Sequence, residues 1–181
     1  MEKKEIRGLI RTLTSALTEA DKAQQARSAT EQLRKIIIER KPEIVAAFMP
    51  LSDEIAIDIA NLSALCRIVI PRITSDKHSE ATMEFYDYNL ADISAGAYGI
   101  DEPQGSETIS ADMIDMMILP GIAFTSQGDR LGRGKGFYDR YTSRKNFHAY
   151  CIGVCYKHQV LDKLPTESHD RGVNDVITAQ Q

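Results

Sequence analysis

The stretch RLGRGKGFYDRY (130–141) sets three glycines among arginine and lysine, then adds two aromatics and an aspartate. Glycines let backbone amides come close to an anion. Arg130, Arg133 and Lys135 supply full positive charges, and an arginine fork can grip phosphate with two bonds. A helix opening near Gly136 would turn its positive end to the same place. The pattern G-x-x-x-x-G-K-[ST] is absent, and G-R-G-K-G lacks the spacing of the dinucleotide fingerprint. The stretch therefore reads either as a site for a phosphate-bearing small molecule or as a solvated basic turn.

Other residues can be weighed beside it. Asp139 either balances the cations or holds a divalent ion, since Mg²⁺ takes one or two carboxylates plus phosphate oxygens. Asp170, in HDRG, is a second loop carboxylate. Lys3 and Arg7 share one face of the first helix, which is either solvated or turned to a site. Glu54 is expected in the first turn of a helix, where an acid suits the dipole without any further role. Phe124, Phe137 and Tyr138 either stack on a flat ring or fill the core, and His148 and His169 read as strand and loop histidines. No nucleophile, base and orienter stand in order, so covalent catalysis has no support. The three cysteines, Cys66, Cys151 and Cys155, form no C-x-x-C pair and read as reduced core residues. The spacing of Cys151 and Cys155 places both on one buried strand face, a simpler reading than a metal site with His158.

The elements that must position these groups follow from periodicity. Ile6, Leu9, Ile10, Leu13 and Leu17 recur at helical spacing. A second helix is expected from a cap at Asp21 to Pro42, with Ala23, Ala26, Leu33, Ile36 and Ile37 inward. EIVAAFMP (43–50) reads as a buried strand, SDEIAIDIANL as a helix capped by Ser52 or Asp53, and RIVIP (67–71) as the next strand. ATMEFYDY, MIDMMILP and FHAYCIGVCY are further strands, SAGAYGIDEPQG (94–105) is loop, FYDRYTSR starts a helix, and the polar tail ends in a short strand. The β–α–β order predicts an α/β fold, a mainly parallel open sheet with helices on both faces in three layers. Ligands of such sheets bind beyond the carboxyl ends of the strands, which would gather MPLSDE, PGIAF, RGKGFYD and ESHDRG into one crevice.

Bulk properties fit one domain over 1–181, without repeat or linker: 43% of residues are apolar and 27% charged. The net charge of −4 divides unevenly, with +4 in 127–145 and −8 elsewhere. That balance argues against nucleic acid as partner, while the basic window suits a small phosphorylated ligand. No apolar run is long enough for a signal peptide or a membrane span, so a cytoplasmic protein without membrane partners is expected.

The segment LPGIAFTSQGDRLGRGKGFYDRY (119–141) resembles the signature of the 5-formyltetrahydrofolate cyclo-ligase family, P-G-x-A-F-D-x-x-G-x-R-L-G-x-G-x-G-Y-Y-D. Lys3 and Arg7, Glu54 after FMPLSD, the proline after RIVI, YGIDEP (98–103) and the LP…HD…VNDVIT tail extend the resemblance along the chain. Thr125 stands where the family usually has aspartate, and Phe137 replaces the first tyrosine. The resemblance implies a three-layer α/β fold and a reaction in which 5-formyltetrahydrofolate, ATP and Mg²⁺ give 5,10-methenyltetrahydrofolate, ADP and phosphate. It implies that the γ-phosphoryl group passes to the formyl oxygen and that N10 then closes the ring with loss of phosphate. ATP would be contacted by Lys3, Arg7 and residues Arg130, Leu131, Gly132, Arg133, Gly134, Lys135, Gly136, Phe137 and Tyr138. The folate would meet Met49, Glu54 and residues 133 to 137, with Glu54 bonded to the pterin. Arg133, Lys135 and Tyr138 would be catalytic, and Asp139 and Asp170 would hold Mg²⁺. The implied partners are a reduced folate and ATP, acting on a monomer. A non-catalytic sensor of a phosphorylated metabolite, a sugar-phosphate isomerase and an RNA binder are the rival readings. The sensor needs no Mg²⁺ ligands, the isomerase needs a general base near the loop, and the RNA binder needs steep salt dependence.

Overall fold

The computed structural model describes residues 1–74, 81–96 and 99–179, so Ala97 and Tyr98 of the expected 94–105 loop lie outside the described residues. Helix α1 (Lys3–Ser15) opens where the Glu2 amide donates to Glu5 Oε2 at 2.7 Å. Ile6, Ile10 and Thr14 are buried, but Leu9 and Leu13 remain 44% and 41% exposed. The stripe is narrower than the sequence suggests because α1 rests on a small hairpin, through Ile122, Ala123 and Leu131, and not on the broad sheet.

Helix α2 (Glu19–Arg40) is capped by Thr18, whose Oγ1 accepts from the Asp21 amide at 3.1 Å, so Asp21 sits in the first turn and is not the cap. Ala26, Ala29, Leu33 and Ile37 face inward, while Ala23 is exposed. Strand β1 (Ile44–Ala46) follows. The helix expected from Ser52 is not formed. Ser52 to Glu54 make a turn in which the Glu54 amide donates to Leu51 O at 2.9 Å. Ile55, Ile57 and Ile59 are then buried alternately, a period of two that no helix could place on one face. Only the short α3 (Ile59–Ser63) forms, capped by Asp58.

Strand β2 (Arg67–Thr74) runs through Pro71, beyond the point where β1 stops pairing at Val69. It turns back antiparallel into β3 (Thr82–Asp87). Part of the expected loop is a two-stranded hairpin, β4 (Ile93–Ala95) with β5 (Asp101–Pro103). Strand β6 (Met116–Leu119) leads to a second small hairpin, β7 (Ala123–Phe124) with β8 (Arg130–Leu131). Helix α4 (Phe137–Thr142), β9 (Tyr150–Val154) and β10 (Asp175–Ile177) complete the order.

The main sheet has the order β10-β9-β6-β1-β2-β3, parallel throughout except for the β2–β3 edge. Leu33 and Ile37 of α2 and Leu62 of α3 bury one face against Val45, Ile68, Ile118 and Ile152. Tyr141 of α4, with Ile109 and Ile114, buries the other against Ala46, Val69, Met117 and Leu119. The three layers of the expected α/β fold are present, with a thin second helical layer. Phe124, weighed as a stacking residue, is fully buried core. Its ring fits because Gly121 and Gly153 carry no side chain; a Cβ there would lie 2.5 and 2.4 Å from it. No helix among the described residues is long and apolar enough to cross a membrane.

Candidate active site

A cavity of about 350 Å³ opens beyond the carboxyl ends of β1 and β6, within the range of small-molecule sites. Phe48, Met49, Ile73, Met83 and Ile100 make one wall apolar. Glu54, Arg130, Arg133, Lys135 and Asp139 add charged groups to the same lining. Of the segments expected in one crevice, MPLSDE, PGIAF and RGKGFYD contribute to this lining, whereas ESHDRG does not.

The glycine loop has two faces. Gly132, Arg133, Lys135, Gly136, Phe137 and Tyr138 line the cavity. Lys3, Arg7, Leu131, Gly134 and Asp170 do not. Arg7 comes from α1 to the outer face, where its Nε donates to Gly132 O at 2.9 Å and its guanidinium lies 3.6 Å from the Cβ position of Gly134. Gly134 and Gly136 have φ of 98° and 68°, the left-handed region in which any other residue is strained. Leu131 is turned inward against Ile6 and Ile10, so it anchors the loop to α1 through its side chain. The α4 helix that begins at Gly136 is only six residues long.

Arg130 is 6% exposed and joins two parts of the site, donating to Pro120 O at 3.1 Å and to Asp139 Oδ1 at 3.0 Å. Its Nε is buried without a partner among the described residues. Arg133 is held by two acids. Its Nη1 and Nη2 grip the Asp53 carboxylate as a fork, and its Nε donates to Glu54 Oε1 at 2.9 Å. Burial would lower the pKa of Arg133, but Asp53 and Glu54 outweigh it and raise it. Glu54 Oε2 accepts from the Leu51 amide at 3.0 Å, so both carboxylate oxygens of this 9% exposed residue are engaged. Burial, and then the Glu54 charge, push the Tyr138 hydroxyl above its ordinary 10.0, leaving it a neutral donor at physiological pH.

The polar tail loop reaches Asp139. The Arg171 amide donates to Asp139 Oδ1 at 3.1 Å and the Val173 amide to Gly128 O at 2.8 Å, which brings the adjacent Asp170 to the Asp139 side. Lys3 bonds Asp170 Oδ2 at 2.6 Å and Glu167 at 2.7 Å, so its amine is matched by two acids. Burial would raise the Asp170 carboxyl, yet Lys3 and the Glu167 amide bring it below the usual range. Among the described residues Asp139 Oδ2 accepts no hydrogen bond, and Asp170 Oδ1 accepts none either but has the exposed His169 ring 3.9 Å away. Two carboxylates, each with one open oxygen, suit a Mg²⁺ ion that draws its other ligands from phosphate and water.

Sequence reasoning missed several contributors. Arg11 and Glu102 line the cavity, and Glu102 is 7% exposed with Oε1 accepting from the Ile73 amide at 3.0 Å. Asp53 appeared only as a possible helix cap. Buried Gln159 donates to Gly121 O and Ile122 O at 3.1 and 3.0 Å, and Tyr156 Oη donates to Glu54 O at 3.1 Å. A glutamine and a tyrosine flanking a buried strand were the available signal. Thr125 closes the β7–β8 turn: its Oγ1 accepts from the Asp129 amide at 3.0 Å and donates to Asp129 Oδ2 at 3.1 Å. Its replacement of the usual aspartate thus falls on the buried base of a turn whose tip, Ser126 and Gln127, is exposed.

The profile of the 5-formyltetrahydrofolate cyclo-ligase family matches residues 1–179. A 5-formyltetrahydrofolate cyclo-ligase of Mus musculus is 28% identical over 177 residues, covering 84% of this chain and 86% of that one. One of Mycolicibacterium smegmatis is 30% identical over 145 residues, covering 76% and 74%. The solved structure of the Aquifex aeolicus 5,10-methenyltetrahydrofolate synthetase superposes with a TM-score of 0.82 at 27% identity, over 100% of this chain and 91% of that one. A profile match over nearly every residue, joined to this fold and this glycine loop, places the chain in the 5-formyltetrahydrofolate cyclo-ligase family, a family of ring-forming ligases.

Proposed function

We propose that the protein converts 5-formyltetrahydrofolate to 5,10-methenyltetrahydrofolate, using ATP and Mg²⁺ and releasing ADP and phosphate. The observation that carries this reading is the union of an apolar wall and a basic glycine loop in one cavity, with Asp139 at the loop's end. A formamide is a poor electrophile because its oxygen is a poor leaving group. Transfer of the γ-phosphoryl to that oxygen gives an N5-iminium phosphate. N10 attacks the formyl carbon, and expulsion of phosphate with loss of the N10 proton completes the ring. Such chemistry asks the protein for position and charge more than for a nucleophile.

The residues divide accordingly. Met49, Glu54 and Phe137 bind the folate, the Glu54 carboxylate accepting N–H bonds from the pterin. Lys3, Arg7 and the loop from Arg130 to Tyr138 hold ATP, with Gly132 to Gly136 supplying backbone amides between the two ligands. Arg133 and Lys135 neutralise charge as it develops on the transferred group, and neutral Tyr138 donates at the folate–phosphate junction. Arg130 acts one step back, fixing Asp139. Asp139 and Asp170 would hold Mg²⁺, which offsets phosphate charge and orients the γ-group. The test is optical: purified protein is mixed with 5-formyltetrahydrofolate, ATP and Mg²⁺, and the methenyl absorbance is followed. Growth of that band, lost on chelation, is expected. Nucleotide binding without turnover would leave the sensor reading in its place.

A further inference from the structure

Every nitrogen donor group of Arg133 and both oxygens of Glu54 are engaged inside the protein. The third member of the cluster, Asp53, has no part in the proposed chemistry, yet it takes both terminal nitrogens of the fork. With side chains 29% and 31% exposed, this pair is partly withdrawn from solvent, and its forked geometry restricts the guanidinium to one orientation. We infer that Asp53 is a positioning residue that holds Arg133 against Glu54 and thereby links the binding of the two substrates, an inference that rests on the function proposed above.

The coupling follows from competition. A pterin bonded to Glu54 Oε1 displaces the Arg133 Nε–H. Arg133 is then held by Asp53 alone, and phosphate has one fewer bond to break to take the fork. The reverse order gives the same result, since coupling between two ligands is reciprocal. Folate and nucleotide therefore each tighten the other through one guanidinium that changes partners, a link additional to their contact at the reacting atoms. Asp53 sets the strength of this link because it aims the Nε–H at Glu54.

The test is calorimetric titration with Mg²⁺ and β,γ-methylene-ATP, with and without saturating 5-formyltetrahydrofolate. For the unaltered protein, folate is expected to tighten nucleotide binding by about fivefold or more. In Asp53→Asn the nucleotide alone should bind more tightly, and the effect of folate should shrink to about twofold or less. Asp53→Glu, which keeps the charge, should restore part of the coupling. In steady state, Asp53→Asn should move KM for ATP with kcat little changed. A purely structural role would change both affinities and the melting temperature but leave the ratio intact. An unchanged coupling ratio in Asp53→Asn, or none in the unaltered protein, overturns the inference while leaving the proposed function standing. Failure of the unaltered protein to bind either ligand removes both.

Discussion

Lys135 and Arg130 stand five residues apart in one loop, yet their surroundings assign them different work. Arg130 is almost wholly buried and bonded to Pro120 O and Asp139, so its charge serves to fix the loop and its carboxylate. Lys135 is exposed on the cavity wall, where its ammonium can meet a phosphoryl group. Lys135→Met should therefore reduce kcat by about a hundredfold or more, the scale of one lost transition-state donor, while the protein keeps a cooperative thermal transition. Turnover in stopped-flow absorbance and a thermal melt check the two halves. Unaltered kcat would remove the electrostatic part of the proposed mechanism. Thr125 illustrates the opposite case, a departure from the family pattern at a residue whose hydroxyl serves a turn.

At the level of elements, two contacts lend themselves to measurement. Gly153 of β9 faces the Phe124 ring, and a methyl group there would lie 2.4 Å from it. Gly153→Ala should destabilise the fold by about 1–3 kcal/mol, the usual cost of overpacking a filled core, readable as a shift in urea midpoint. Helix α1 is tied to the turn after β9 by the contact of Thr14 Oγ1 with His158 Nε2 at 2.7 Å. Burial holds the His158 imidazole below its ordinary 6.5, so the folded state favours the neutral ring. The stability this gives is complete above pH 6.5 and is lost as pH falls through the lowered folded value. His158→Gln should flatten that segment of the stability curve in melts between neutral and mildly acidic pH.

These elements also explain what the sequence could and could not reveal. The parallel strands were legible because runs such as MMIL are buried on both faces. The short helix α4 was legible from glycine followed by aromatic and polar residues in a helical rhythm. The chain after Ser52 was misread because Ser52 and Asp53 suit a helix cap, when Arg133, some eighty residues on, takes up both Asp53 and Glu54 and the isoleucines bury at a period of two. The two small hairpins were missed because strands of two or three residues carry almost no periodicity. The loop's chemistry stood out in the sequence, whereas its partners Arg11, Asp53 and Glu102 are defined only by the folded distance between distant segments.

For the whole molecule, charge distribution is the governing property. Residues 127–145 carry +4 against −8 elsewhere, and three of their cations, Arg130, Arg133 and Lys135, line the cavity. Nucleotide binding should weaken as salt rises past the point where the screening length shrinks to about 8 Å, while folate, seated on an apolar wall, should respond less. KM for each substrate across a salt series reads the difference; equal slopes would argue against separate seats. One feature of the scaffold bears on how such a site operates. Tyr156, buried behind the cavity, clasps the backbone oxygen of Glu54 while the Leu51 amide meets its side chain. The peptide is pinned from the rear, so exchange of partners in front requires only torsions at the tip of a side chain. This enzyme would then work with stationary walls and rearranging charges, and deuterium uptake by the amides of 51–57 should hardly alter when its substrates arrive.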